Sequence, residues 1–306
     1  MEAAQVRSAV ADFYSQARVF GFKAFRGLCN CLKAACVDAA VRGWREAGGA
    51  GRPAVLDLGC GRGGDLHKWT QHRPRSYEGL DFSAASVEEA RRRHAVLVSS
   101  GRSGLAANFG CADLCDAIAL PDASQDIVSS MFFFQYVFES EAVALRFFAE
   151  LARVTKPGGV LVAVLPDGNR VARLLAKPRF GHFWLRRLAR RRGPYGLAYV
   201  FGLGREGCCE YLAPPFLLHH LLESVGFEEM RELPGFSQPA QPFLAATLGS
   251  SADATLREPC SEEDWRSLSF FRVCLARKRS EPRAAQRDES PDAAPPARRR
   301  RVPAPQ

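Results

Sequence analysis

Residues 55–69 read VLDLGCGRGGDLHKW, and their interpretation decides the fold. Val55, Leu56 and Leu58 form a short apolar run with the character of a buried strand. Gly59, Gly61, Gly63 and Gly64 follow as a turn whose backbone can approach a ligand without interference from Cβ atoms. Asp65 opens a helical pattern continued by Leu66 and Trp69. A strand, a glycine turn and a helix in that order form the entrance to a doubly wound α/β nucleotide site. Gly59, Gly61 and Gly64 also satisfy G-x-G-x-x-G, so the glycines alone fit more than one cofactor. Asp57 discriminates: a carboxylate at the end of the strand repels a pyrophosphate and attracts a cationic group. S-adenosyl-L-methionine carries an ammonium and a sulfonium and no phosphate, so it is the cofactor expected here, with Asp57, Gly59 and Gly61 at its site.

The 306 residues, 47% of them hydrophobic, suit one large α/β domain with appendages. The net charge of +9 favours a polyanionic partner. The ten cysteines include no C-x-x-C pair, which points to reduced thiols in a nuclear or cytoplasmic compartment and away from structural zinc. The opening MEAAQVRSAVADFYSQ is too charged for a signal peptide, and no run of apolar residues is long enough for a membrane helix.

Outward from the glycine turn, residues 1–50 read as an N-terminal helical region, 51–278 as the main domain with an insertion at about 170–210, and 279–306 as a disordered basic tail carrying Arg298 to Arg301. A second strand at 76–80 ends at Asp81, which lies 22 residues after Gly59, the usual place for an acid on ribose hydroxyls. Asp81 also fits the cap of the helix beginning after Ser83. A third strand spans 105–111 and leads to Asp113, an acid placed to accept an adenine amine or to close a turn. A fourth, central strand is expected over 126–134, a helix over 142–154, a turn at 156–159 and a fifth strand over 160–165. The insertion interleaves Arg with aromatic residues, a pattern compatible with an RNA path or with the two faces of an amphipathic helix over 183–192. A helix over 216–225 and two weaker strands near 227–232 and 269–276 complete the expectation of a Rossmann-like, mostly parallel seven-stranded sheet with helices on both faces and a basic helical insertion.

Several stretches together resemble the mRNA cap guanine-N7 methyltransferase family. They are the glycine turn with Gly63-Gly64-Asp65-Leu66 and Lys68-Trp69; Asp81-Phe82-Ser83 with Arg93; and Asp126-Ile127-Val128-Ser129-Ser130 running into Tyr136-Val137-Phe138-Glu139-Ser140. Pro157-Gly158-Gly159, Pro166-Asp167, Glu210-Tyr211-Leu212 and Asn30-Cys31-Leu32-Lys33 complete the set. The resemblance implies that Lys33 and Asp81 hold the cofactor, that Asp113 reads its adenine, and that Tyr136 and Glu210 flank the cap guanine. It makes Asn30, Arg62 and Arg93 candidates for the cap ribose and triphosphate. It implies capped RNA as substrate, a capping-enzyme or activating subunit as a possible partner, and a nucleus, or a cytoplasmic capping system, as the location. The chain departs from the family pattern at three places. Met131 stands in the cofactor region where Gln is usual, Gln135 stands where His is usual, and Phe271 (or Phe270) stands where Tyr is usual. Methyl transfer to guanine N7 needs no general base, so positioning residues are expected rather than a catalytic acid or base. A small-molecule or protein methyltransferase of the same fold, and a catalytically weak RNA-binding subunit, are the alternatives that the same sequence allows.

Overall fold

The computed structural model describes residues 22–176, 179–188, 193–203, 206–230, 237–248 and 259–280. Helix α1 (Lys23–Glu46) leads into strand β1 (Ala54–Leu58), helix α2 (Leu66–His72), β2 (Ser76–Asp81), α3 (Ala84–Ser99), β3 (Ala107–Cys111) and β4 (Gln125–Met131). A 3-10 helix (Phe134–Glu139), α4 (Glu141–Val154), β5 (Thr155–Pro166) and α5 (Gly168–Leu174) follow. The remainder comprises β6 (Arg179–Phe180), β7 (Phe183–Arg187), β8 (Ala198–Leu203), β9 (Glu206–Tyr211), α6 (Pro215–Ser224), β10 (Phe227–Glu229), β11 (Ser237–Pro239), α7 (Ala240–Leu248), α8 (Glu262–Leu268) and β12 (Phe271–Lys278).

The main sheet runs β10-β12-β5-β4-β1-β2-β3, with the short β11 also paired to β12. Strands β1 to β5 are mutually parallel, and β12 returns antiparallel beside β5. The chain order reverses between β1 and β4, and open parallel sheets bind ligands beyond the carboxyl ends of strands at such a reversal. Every residue of β1 is buried because the sheet is covered on both faces. Val55 faces a layer with α1 and α2, whereas Leu56 and Leu58 face one with α4 and α6. In α1, Phe25, Leu28, Leu32 and Cys36 recur at helical spacing and lie in the same core as Val55.

Three expectations are corrected. Where a helix is expected over 183–192, Phe183–Arg187 form strand β7 in a separate four-stranded antiparallel sheet, β6-β7-β8-β9, so the described residues of the insertion beyond α5 are β rather than a basic helix. Phe183 and Leu185 are buried on alternate positions while Arg186 is exposed, a period of two that the arginine run obscures. Trp184 lies over Gly202 and Gly207 of the neighbouring strands, where a Cβ would come within 1.9 Å and 2.7 Å of its ring. The fourth strand ends at Met131, because Phe132 adopts a left-handed φ of 70° and the chain turns into the 3-10 helix. Lys156 to Gly159 is not a turn ahead of the fifth strand but an irregularity within β5: Thr155 pairs with Gln125 and Val160 with Ile127. Elements α5, β6, β8, β9, β11, α7 and α8 are additional to those expected from the sequence. The tail with Arg298 to Arg301, and Arg190 to Arg192 of the insertion, lie outside the described residues. Each of the ten cysteines is a free thiol. Among the described residues no helix is long and apolar enough to cross a membrane.

Candidate active site

The carboxyl ends of β1, β2 and β3 are tied together by backbone hydrogen bonds. Gly59 N–H and Cys60 N–H both donate to Leu80 C=O, at 2.8 and 3.1 Å, and Ala112 N–H donates to Asp81 C=O at 2.9 Å. Gly59 and Gly61 take φ values of 75° and 50°, a region open to glycine at little cost. A Cβ on Gly59 would lie 2.7 Å from Cβ of Phe133, whereas one on Gly61 would meet nothing within 4 Å. The turn is therefore packed from below at Gly59 and open above at Gly61.

Three carboxylates surround this cradle. Asp81 accepts hydrogen bonds from Gly61 N–H and Ser83 N–H, both at 2.9 Å. Burial raises its pKa, opposed by these two backbone donors. It does not cap α3; Ser83 does so, accepting from Ser86 N–H at 3.3 Å. Two accepted bonds leave lone pairs on Asp81 for ribose hydroxyls. Asp57 is deeper, 2% exposed, and accepts from Tyr77 Oη at 2.6 Å and Ser129 Oγ at 3.0 Å. It braces β1 to β2 and β4 beneath the turn, and burial together with the charge of Asp65 pushes it up to about 7. Asp65 stands at the N-cap position of α2 without a side-chain cap bond. Its carboxylate is 2.9 Å from Lys33 Nζ and 2.8 Å from Lys68 Nζ. Burial raises the Asp65 pKa, but the two ammonium groups outweigh it and hold the acid below the ordinary carboxylate range.

The spot at a helix N-terminus where a pyrophosphate would sit is thus already held by a carboxylate. A cofactor with cationic groups, a ribose and no phosphate fits this donor set: Asp81 beside the open cradle, Lys33 across it, and Asp113 at the end of β3. Asp113 accepts from Cys115 N–H at 3.0 Å and closes the local turn.

The second half of the site lies beyond β4. Met131 is buried at its end. The ring of Phe132 lies 6.0 Å from Lys33 Nζ and 4.8 Å, edge-on, from the ring of Phe271. A left-handed bulky residue is strained, and such strain clusters at functional sites. Gln135 Nε2 donates to Phe132 C=O at 2.9 Å and to Glu210 Oε1 at 3.2 Å, while its Oε1 is buried without a partner among the described residues. Tyr199 Oη donates to Glu210 Oε2 at 2.7 Å. Glu210 is 1% exposed, and burial pushes it up to about 7 against hydrogen bonds from Tyr199, Gln135 and Tyr136. Tyr136 Oη also lies 3.8 Å from Cys208 Sγ. This is a buried acceptor held by three side chains from the 3-10 helix and β8.

Of the residues singled out from sequence, Lys33, Asp57, Gly59, Gly61, Asp81 and Asp113 converge on the strand ends. Met131, Gln135, Tyr136, Glu210 and Phe271 converge beside them. Asn30 accepts from Lys68 Nζ at 3.1 Å on the rim, and Arg62 is half-buried in the glycine turn. Arg93 pairs with Glu89 at 2.8 Å on the exposed face of α3. Its position ten residues past Ser83 places it roughly 15 Å along the helix from the strand ends. Sequence patterns do not mark Asp65, Lys68, Tyr77, Ser129, Phe132 and Tyr199 as site residues. For Asp65 a signal exists, an acid directly after the glycines with Lys68 three residues on, whereas Lys33 joins it from α1 only through the fold. Tyr199 has only its place before β9.

The fold is shared with solved methyltransferases of low identity. One from Streptomyces caelestis superposes with a TM-score of 0.55 at 13% identity, over 91% of this chain and all of the other. An S-adenosylmethionine-dependent methyltransferase from Clostridium acetobutylicum gives 0.52 at 12% identity, with the same coverage. By sequence, the chain is 29% identical over 267 residues to mRNA cap guanine-N(7) methyltransferase 1 of Arabidopsis thaliana, covering 76% of this chain and 71% of that protein. A model of the mRNA (guanine-N(7))-methyltransferase domain matches residues 5–232. That match spans the N-terminal helix, the glycine turn and the Glu210 cluster, and with it the chain belongs to the mRNA (guanine-N(7))-methyltransferase domain family.

Proposed function

We propose that this protein transfers a methyl group from S-adenosyl-L-methionine to guanine N7 of a 5′ GpppN-capped RNA. The observation that carries the reading is Glu210, a buried carboxylate presented by Tyr199 and Gln135 beside the cofactor cradle. A carboxylate in that position accepts from guanine N1–H and the N2 amine, whereas adenine presents no such pair of donors. The Oε1 of Gln135, without a partner among the described residues, adds a second acceptor beside it.

When bound, the cofactor supplies a methyl group on a sulfonium that is already a good leaving group. Guanine N7 has a free lone pair, so no residue needs to remove a proton. Lys33 and Asp81 hold the two ends of the cradle. Glu210 and Tyr136 fix the guanine plane. Phe132 and Phe271 keep water from the space between the two halves, which strengthens electrostatic interactions there. Catalysis is then in-line positioning and electrostatic matching as positive charge moves onto the guanine.

Nuclear RNA processing suits the Arg298 to Arg301 cluster, and an activating or capping subunit is the proposed protein partner. Replacing Glu210 by Ala tests the site assignment. Methyl transfer to capped RNA should fall at least a hundredfold while cofactor affinity by calorimetry stays within about twofold. Equal loss of both would overturn the assignment.

A further inference from the structure

The parallel sheet also has an amino-end edge, and a basic groove of about 950 Å³ crosses it. Arg52 precedes β1, Arg73 precedes β2, and Arg102 and Ser103 precede β3. Because these strands are parallel, the three loops meet at the end of the sheet opposite the glycine turn. Arg52 is spent on structure: its Nε donates to Arg73 C=O at 2.7 Å and its Nη2 to Pro74 C=O at 2.9 Å. Arg73 and Arg102 are exposed and have no carboxylate partner among the described residues. His67 and Thr70 add polar groups from α2, and among the described residues no Asp or Glu lines the groove. Gly101 and Gly104 leave open space above the third loop, where a Cβ would meet nothing within 4 Å.

We infer that this groove binds the phosphodiester backbone of the RNA body, away from the cap. Guanidinium groups facing no acid, with hydroxyls beside them, match phosphate oxygens. Among the described residues the groove is lined by no Phe, Tyr or Trp, and its two large apolar residues are Leu97 and Leu105, the latter buried. It therefore lacks the stacking platforms that would read bases, and it lacks the apolar anchors by which a folding acidic peptide docks. Recognition here is sequence-independent. The strands separate the groove from the cap site by on the order of 20 Å, so only an RNA of several nucleotides reaches both. The inference rests on RNA being the substrate, and its test is kept independent of methyl transfer.

The test measures binding of an uncapped 30-nucleotide oligouridine to the full chain by fluorescence anisotropy over a salt series, with methyl transfer to a GpppA dinucleotide measured alongside. In the Arg73→Asn/Arg102→Gln variant, RNA affinity should fall about tenfold. The slope of log K against log salt should shrink by about 0.7 for each phosphate no longer neutralised. Dinucleotide methylation should stay unchanged, and Arg73→Lys/Arg102→Lys should keep most of the affinity. Unaltered RNA binding in the Asn/Gln variant would overturn the inference. So would loss of binding to a polyglutamate peptide with RNA binding intact, which would make the groove a protein site. A wild-type chain that binds the oligouridine through these arginines and methylates no cap would overturn the proposed reaction and leave the groove assignment standing.

Discussion

Tyr199 and Glu210 are directly opposed in the β8–β9 pair, and the tyrosine hydroxyl donates to the glutamate Oε2 at 2.7 Å. Both side chains are buried, so the hydroxyl sets the position of the carboxylate and stabilises its charge. Removing a hydrogen bond to a charged group costs roughly 1.5–3 kcal/mol. Tyr199→Phe should therefore raise KM for capped RNA about tenfold or more, with cofactor affinity unchanged by calorimetry. An unchanged KM would show that Gln135 and Tyr136 hold Glu210 without it.

Glu210 lies near 7 because of its burial. Guanine recognition needs the ionised form, so kcat/KM for capped RNA should rise through pH 7 and level off above about pH 8. Glu210→Gln should be poorly active and lose that step. A flat wild-type profile between pH 6 and 8 would contradict this role.

Asp57 also lies near 7, through burial and the charge of Asp65. Its folded-state value is above its unfolded one, so the folded chain holds the extra proton. The stability contributed is fully present below about pH 4 and is lost as pH rises through 7. Urea midpoints of wild type should therefore decline relative to Asp57→Asn between pH 5 and 8. A pH-independent difference between the two would contradict the assignment.

The glycines of the turn should respond differently to the same substitution. Gly61→Ala places a methyl group in the open cradle and costs about 1–2 kcal/mol for its left-handed backbone, so the protein folds but binds the cofactor at least tenfold more weakly. Gly59→Ala adds a clash with Phe133 at 2.7 Å. It should lower stability further, on the order of 3 kcal/mol in all. Thermal melting and calorimetry separate the two outcomes.

Lys33 and Lys68 share the Asp65 carboxylate. Lys33→Met leaves Asp65 with Lys68, so the fold should persist with a loss of about 1–3 kcal/mol while cofactor affinity falls at least tenfold. Lys33→Met/Asp65→Asn should recover part of the stability and none of the affinity.

The cofactor half of the site was legible because short-range patterns encode it. The apolar run in residues 55–58, the glycines and the acid at Asp81 each carry their own backbone requirement, and β1, α2 and β2 formed where those patterns place them. The guanine half was legible only as isolated residues. Glu210 reaches Tyr136 of the 3-10 helix from β9, in a hairpin with β8 that no expected strand marked. Their supports, Tyr199 and the left-handed Phe132, have no local signature. The helix expected over 183–192 failed because Phe183 and Leu185 alternate over too few residues to outweigh the basic run. The small α7 and α8 pack against α1, and α7 also against β11 and β12, long-range contacts that sequence spacing does not reveal.

The most direct test is methyl transfer from labelled S-adenosyl-L-methionine to GpppA-capped RNA, beside triphosphate-ended RNA and RNA already methylated at its cap. Label should enter the unmethylated cap alone and be recovered as 7-methylguanosine. Cofactor binding without label in any of the three RNAs would contradict the proposed reaction.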